Sequence, residues 1–500
     1  MVVFATTGPG IMNALTGLVA ARWEGAKVLL VSGATSPAVR GRWAFQETSA
    51  YTMPIAALLG AGPVFHLGVA LESAAEVDEI VRRLAMGFAR RQGFVAHLSL
   101  PLSLQTAPGA PARGCAPLVT LPAGCNEGDV ARCAELLGAG PFAIWVGFGA
   151  RYAAQPILAL AQQSGALVLC SPRAKGVFPE DHPQFVGVTG LGGDPAVPER
   201  LARQGVQRTL VLGSRLGELT SFWDPGLVPP HGFVHVDLEP DVPGVAYPNA
   251  ETVAVQAEIG AFAGALVDRL PRRTRAATLS AMHARDARAS FVPRSGPVRV
   301  AALMSEIQRV VVDGSDAVVL TEAGNAFAWG SCALRFGTPG RYRVSTGFGS
   351  MGQATAGVLG AALGRAGKAV AIVGDGAMLM NSEVSTAAEQ QVPAVWIVLN
   401  DGRYGMIDRG MRSLGWTPFA PAIPRCDFAA VARAMGAEGA RVEREQDIGA
   451  ALEQAMAARG PFVVDVLVDP DEIAPAMRRN ESLADQGAAV QRRPDPQQEG

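Results

Sequence analysis

The sequence predicts an α/β protein of three doubly wound, parallel-sheet domains. Three observations predict it. Short apolar, β-branched runs of strand length alternate with helix-length stretches along most of the chain. Two Pro-, Gly- or Ala-containing stretches, 102–126 and 271–297, divide the chain into three parts. Five hundred residues exceed one ordinary core and suggest about three domains.

The most informative stretch lies in the last third. Ala369 to Val373 reads as a buried parallel strand that breaks at Gly374-Asp375-Gly376. A helix-like segment with Glu383, Thr386, Ala387 and Glu389 follows, then Pro393. A second buried run, Val395 to Leu399, ends at Asn400-Asp401. In a β-α-β unit both strand ends lie on one edge of the sheet. Asp375 and Asp401 can therefore hold one hard divalent cation with oxygen ligands, as Mg²⁺ prefers. Gly374 and Gly376 let backbone N–H groups approach phosphate oxygens at a helix N-terminus. A cation beside a phosphate cradle suggests a diphosphate cofactor. An Asp in a Gly turn is by itself only turn chemistry; two acidic strand ends bracketing one helix are more specific.

Composition narrows the function classes. Forty-three basic and 45 acidic residues leave a net charge of −2, so nothing favours nucleic acid or an anionic membrane as a partner. No apolar run reaches the length of a membrane span. The six cysteines form no CxxC pair, which points to a reducing cytoplasm and away from a zinc site.

In chain order, Met1 to Ala5 is a buried strand with no signal peptide before it. Thr6-Thr7-Gly8-Pro9-Gly10 turns into a helix, and Val28 to Ser32 is the next strand. Residues Ser73 to Arg91 form an amphipathic helix and Phe94 to Leu100 a strand, closing a first domain at about residue 105. The second domain, 127–270, has strands at Phe142 to Val146, Leu167 to Cys170, Thr209 to Leu212 and Phe233 to Val236. Gly147-Phe148-Gly149 after its first strand reads as a turn rather than a dinucleotide loop. The third domain, 298–470, carries strands at Ala317 to Thr321, in the Gly-Asp-Gly unit, and at Phe462 to Leu467. Residues 471–500 are a polar tail, its end from Gln491 expected to be disordered.

The stretch from Gly374-Asp375-Gly376 to Asn400-Asp401 resembles the motif of thiamine-diphosphate (ThDP) enzymes, acetolactate synthase large subunits in particular. The resemblance covers nearly the whole chain. It implies a pyrimidine-binding domain, a central domain and a diphosphate-binding domain. It implies ThDP and Mg²⁺, with Asp375, Asp401 and the Arg403 carbonyl as metal ligands. Gly8, Gly324, Asn325, Gly374, Gly376, Ala377, Tyr404 and Met406 match cofactor-binding positions. In Gly347-Phe348-Gly349-Ser350-Met351-Gly352, the Gly349 carbonyl would accept from the cofactor 4′-amino group. Met351 would be the apolar wedge that bends the cofactor; core packing is the ordinary role of a Met. Phe45-Gln46-Glu47 matches an element whose Gln lines the reaction pocket.

Departures from the family pattern are equally specific. The family glutamate that bonds N1′ of the aminopyrimidine has no counterpart, Glu24 and Glu47 included, and the expectation is a start codon assigned too late. A family lysine is replaced within Pro54-Ile55-Ala56-Ala57-Leu58-Leu59. The substrate arginine falls at Leu219 and a specificity tryptophan at Gly410. The central domain binds FAD in biosynthetic members, but Thr189-Gly190-Leu191-Gly192-Gly193 replaces one element of that site. FAD is thus left open and not indicated.

The resemblance implies a decarboxylating carboligase acting on 2-keto acids, here with bulkier substrates than pyruvate. The alternatives are a simple 2-keto acid decarboxylase and a non-catalytic, truncated ThDP-fold protein. Family sites lie between two subunits, which implies a homodimer or homotetramer.

Overall fold

The computed structural model describes residues 1–49, 51–52, 58–109, 124–273, 291–380, 382–474 and 481–482. It contains three sheets, and every strand pair in them is parallel. The chain divides into two compact units: residues 1–122 with 347–350, and residues 123–346 with 351–500.

The first unit holds four strands: β1 (Val2–Ala5), β2 (Lys27–Ala34), β3 (Leu67–Ala70) and β4 (Phe94–Pro101). Their order is β1-β2-β4-β3. The helix Pro9–Trp23 begins with Pro in its first turn, where a missing N–H costs nothing. The helix expected over 73–91 begins with a 3₁₀ turn at Ala74–Glu76 and continues as Val77–Ala89. The stretch read as a linker from residue 102 starts instead with a short helix, Leu102–Gln105.

The second unit holds two sheets. One contains β5 (Phe142–Val146), β6 (Leu167–Cys170), β7 (Phe185–Val188), β8 (Arg208–Leu212), β9 (Phe233–Asp237) and β10 (Thr252–Gln256). Its order is β10-β9-β8-β5-β6-β7. The other contains β11 (Val318–Thr321), β12 (Tyr342–Val344), β13 (Ala369–Gly374), β14 (Ala394–Asn400), β15 (Glu438–Val442) and β16 (Phe462–Leu467). Its order is β12-β11-β13-β14-β16-β15.

Strand alternation explains why these runs are apolar throughout. Val370, Ile372, Val395, Ile397 and Leu399 enter one core, while Ala369, Ala371, Val373, Trp396 and Val398 enter another on the opposite face. Successive side chains point to opposite faces, so a sheet covered on both sides needs an apolar residue at every position. The sheet of β5–β10 repeats the arrangement, with Ile144 and Val146 in one core and Ala143 and Trp145 in the other.

Two glycines in left-handed backbone let the loops after β6 and β7 lie against the backbone that follows β11. A Cβ on Gly176 (φ 80°) would stand 2.3 Å from the Thr338 carbonyl oxygen. One on Gly192 (φ 69°) would stand 2.2 Å from that of Ala328. The same region buries Lys175 against Glu180 at 2.7 Å, with Lys175 also donating to the Ser331 carbonyl at 3.2 Å. No helix among the described residues is long and apolar enough to cross a membrane.

Candidate cation and diphosphate site

The site is built where β13 and β14 end side by side. Gly374 pairs with Leu399 in register, so Asp375 and Asp401 follow the ends of adjacent strands. The β13 strand passes into a single helical turn, Asp375–Met378. Asp375 is buried; its Oδ1 accepts from the Gly376 amide at 2.8 Å and its Oδ2 from the Gly402 amide at 2.7 Å. Asp401 Oδ1 accepts from the Arg403 amide at 3.3 Å. Burial first, and then the neighbouring Asp401 charge, push the Asp375 carboxyl up to about 7. Burial likewise raises Asp401.

The helix Gly405–Ser413 starts directly above this pair. A Cβ on Gly405 would stand 2.5 Å from Asp401 Oδ2 and 2.8 Å from Asn325 Nδ2. Only a glycine leaves these two side chains room to approach. Asn325 opens the helix Asn325–Ala333 after β11, and its Oδ1 is buried without a partner. Gly324 precedes it at φ 97°, and a Cβ there, or on Gly374, would meet nothing within 4 Å. The Arg403 carbonyl accepts from the Gly405 amide at 2.9 Å, which leaves its second lone pair for a ligand.

These residues fit the group that the sequence implies. Two desolvated carboxylates of like charge, an orphaned amide oxygen and open glycine backbone suit a hard cation beside a diphosphate. Among the described residues no point gathers three His, Cys, Asp or Glu side chains. A cation here would therefore complete its shell with a backbone carbonyl, water and ligand oxygens.

The remaining expected positions divide between the two units. In the second, the Tyr404 ring covers Gly376: a Cβ there would stand 2.7 Å from Tyr404 Cε1 and 3.7 Å from Met351 Cε. Met351 is 40% exposed and stands clear of the core. Ala377 is buried, and Met406 packs against the core beneath the sheet. Leu219 packs against that same core. Gly410 lies in the helix Gly405–Ser413.

In the first unit, Gly8 (φ 62°) and Gln46 (φ 58°) are brought together across 38 residues of sequence. A Cβ on Gly8 would stand 2.8 Å from the Gln46 carbonyl oxygen, which also accepts from Thr7 Oγ1 at 3.2 Å. Beside them, at the ends of β1, β2 and β4, is a cleft of about 720 Å³, lined by Thr7, Ser32, Ala44, Phe45 and Gln105 among others. Gly349 falls in this unit, at φ 65°. Of the stretch 54–59 that replaces the family lysine, residues 54–57 lie outside the described residues, as does Asn381.

The contacts of three polar groups were not legible in the sequence. Glu322, after β11, is buried; its Oε2 accepts from the amides of Ala354 and Thr355 at 3.0 and 3.2 Å, capping the helix Gln353–Arg365 that follows Met351. Asn400, beside Asp401 in sequence, points the other way, donating to Asp465 Oδ1 at 2.8 Å and the Cys426 carbonyl at 2.9 Å. Asp408 is buried against two arginines. A polar side chain at a strand end or within a helix was the available signal in each case, and it names no partner.

Two desolvated carboxylates at neighbouring parallel strand ends, beside open glycine backbone, suit an enzyme of the diphosphate-cofactor class. The sequence matches the thiamine pyrophosphate enzyme family in three places: the N-terminal TPP-binding domain at 1–53, the central domain at 131–266 and the C-terminal TPP-binding domain at 322–466. The chain belongs to that family. It is 27% identical to an acetolactate synthase large subunit of Mycobacterium tuberculosis, over 94% of this chain and 78% of that protein. It is 25% identical to the large subunit of acetolactate synthase isozyme 1 of Escherichia coli, over 94% of this chain and 83% of that protein. It is also 27% identical to a probable 2-ketoarginine decarboxylase of Pseudomonas aeruginosa, over 89% of this chain and 78% of that protein.

Proposed function

We propose that the chain is a ThDP- and Mg²⁺-dependent enzyme that decarboxylates a 2-keto acid and joins the product to a second carbonyl compound. The observation that carries the reading is the pair Asp375 and Asp401, two desolvated carboxylates at adjacent parallel strand ends. ThDP, when bound, supplies the nucleophilic carbon and the electron sink for decarboxylation.

The chain's residues supply binding and orientation. Asp375, Asp401 and the Arg403 carbonyl hold the cation, and the amides near Gly374 and Gly376 receive the diphosphate. Asn325 contributes its unpartnered oxygen to the same edge. Met351, beside Gly376, limits the shape a ligand can take there. Tyr404 shields the cation edge from water. Gln46 and the Gly349 carbonyl act on substrate and cofactor by analogy with the family positions they match.

The proposed substrates are bulkier than pyruvate in at least one role. Gly410 stands where a family tryptophan would fill space, and Leu219 where an arginine would meet a carboxylate. Losing such a contact removes about 1.5–3 kcal/mol, or roughly one to two powers of ten in affinity for a small keto acid. The proposal includes a homodimer or homotetramer in the cytoplasm, supported by the family resemblance and by cysteine usage.

A panel of 2-keto acids, assayed singly and in pairs with ThDP and Mg²⁺, tests this. A bulky, for example aryl, keto acid should be consumed faster than pyruvate, with an acyloin or hydroxy-keto acid as product. Preference for pyruvate alone or with 2-ketobutyrate would overturn the substrate reading. Simple decarboxylation is the second reading, favoured by the likeness to a probable 2-ketoarginine decarboxylase; a free aldehyde as sole product would establish it.

A further inference from the structure

The loop that follows β14 is held from within by a carboxylate that has no place in the site described above. Asp408, in the first turn of the helix Gly405–Ser413, is 1% exposed at its side chain. Its Oδ2 accepts from Arg403 Nη1 at 3.0 Å and its Oδ1 from Arg412 Nε at 3.0 Å. Its own amide donates to the Tyr404 carbonyl at 3.0 Å. Arg403 is gripped a second time, its Nη2 donating to Asp471 Oδ1 at 2.9 Å. The Asp471 carboxylate is 88% exposed, so this outer contact is weak beside the buried one. Arg403 therefore reaches back into the helix that its own loop leads into. Its carbonyl is held by the Gly405 amide at 2.9 Å, and its amide donates to Asp401.

We propose that Asp408 is a positioning residue for the cation site. By fixing the Arg403 guanidinium it sets the Arg403 peptide, and with it both the Arg403 carbonyl and the Asp401 carboxylate, before a cation arrives. The proposal rests on the reading that Asp375, Asp401 and the Arg403 carbonyl are the ligands. Loss of such an outer partner weakens metal affinity by about 10- to 100-fold in comparable sites. Arg412 provides the internal contrast. It meets the other oxygen of the same carboxylate but is 62% exposed and carries no part of the ligand loop.

The test uses the full chain with saturating ThDP and Mn²⁺ as the probe, counting free Mn²⁺ by electron paramagnetic resonance. Asp408→Asn and Arg403→Leu should each raise the Mn²⁺ Kd by about tenfold or more. The double variant should be no worse than the weaker single, because both changes break one coupled contact. Arg412→Leu should leave the Kd within about twofold, although it too removes an ion pair from Asp408. If Asp408→Asn does not fold, Arg403→Leu alone decides. An unchanged Kd in either folded variant, or an equal loss in Arg412→Leu, overturns the proposal. Asp375→Ala separates the two readings: if it binds Mn²⁺ as the wild type does, the ligand assignment fails and the positioning role with it. If it abolishes binding while Asp408→Asn retains it, only the positioning role fails.

Discussion

Asp375 Oδ2 accepts the backbone amide of Gly402 at 2.7 Å, stitching the end of one strand to the turn beyond the next. That bond keeps Asp375 and Asp401 close in spite of their like charge, and it holds Asp375 where burial and Asp401 raise its carboxyl to about 7. A divalent cation relieves both penalties at once.

Asp375→Ala is expected to abolish Mg²⁺-dependent ThDP binding, read by titration calorimetry with and without the metal. Asp401→Asn should retain it within roughly tenfold, because an oxygen ligand stays and one negative charge leaves. Unchanged affinity in Asp375→Ala would reject the metal assignment.

Gly376→Ala should weaken ThDP binding with little change in thermal midpoint. The new methyl would stand 2.7 and 2.9 Å from two Tyr404 ring carbons, and Tyr404, 42% exposed, can swing into solvent to make room. The ring would then leave the site it covers. Wild-type affinity in this variant would show that the ring's position is immaterial.

The buried Lys175–Glu180 pair predicts a strongly non-additive cycle. Its side chains are 1% and 3% exposed at 2.7 Å. Lys175→Met should cost about 3–5 kcal/mol in urea unfolding, since an unpaired buried carboxylate remains. Lys175→Met combined with Glu180→Leu should recover most of that. Additive losses would mean that the pair does not act as a unit.

Glu445 predicts an acid limb. Arg299 holds its carboxylate down to about 2, through contacts at 2.6 Å from both Nε and Nη2, against an ordinary value of 4.5. A depressed value stabilises the fold above about 4.5, and that stability is lost as pH falls through about 2. Glu445→Gln should therefore lower the urea midpoint at neutral pH, with the gap to wild type closing as pH drops towards 2. A gap independent of pH would assign the effect to packing.

Interior strands were legible to within a residue or two, and of the edge strands only β1 was. Phe142–Val146, Leu167–Cys170 and Phe462–Leu467 match their expected bounds. The five strands missed, β3, β7, β10, β12 and β15, are all sheet edges. An interior strand between two covered faces must be apolar at every position, which a sequence shows directly. An edge strand pairs on one side only and tolerates polar residues such as Glu438 and Arg441 in β15, which erase the pattern.

The sequence by itself determined the α/β class, the family, and the placing of Asp375 and Asp401 at neighbouring strand ends. Strand period and one intervening helix make that placing a local consequence of the chain. Tertiary structure alone decided what those carboxylates face and what holds their loop. Leu219 turns to the core, Asn400 to Asp465 and Asp408 to Arg403, because each depends on which distant group packing brings within about 3 Å.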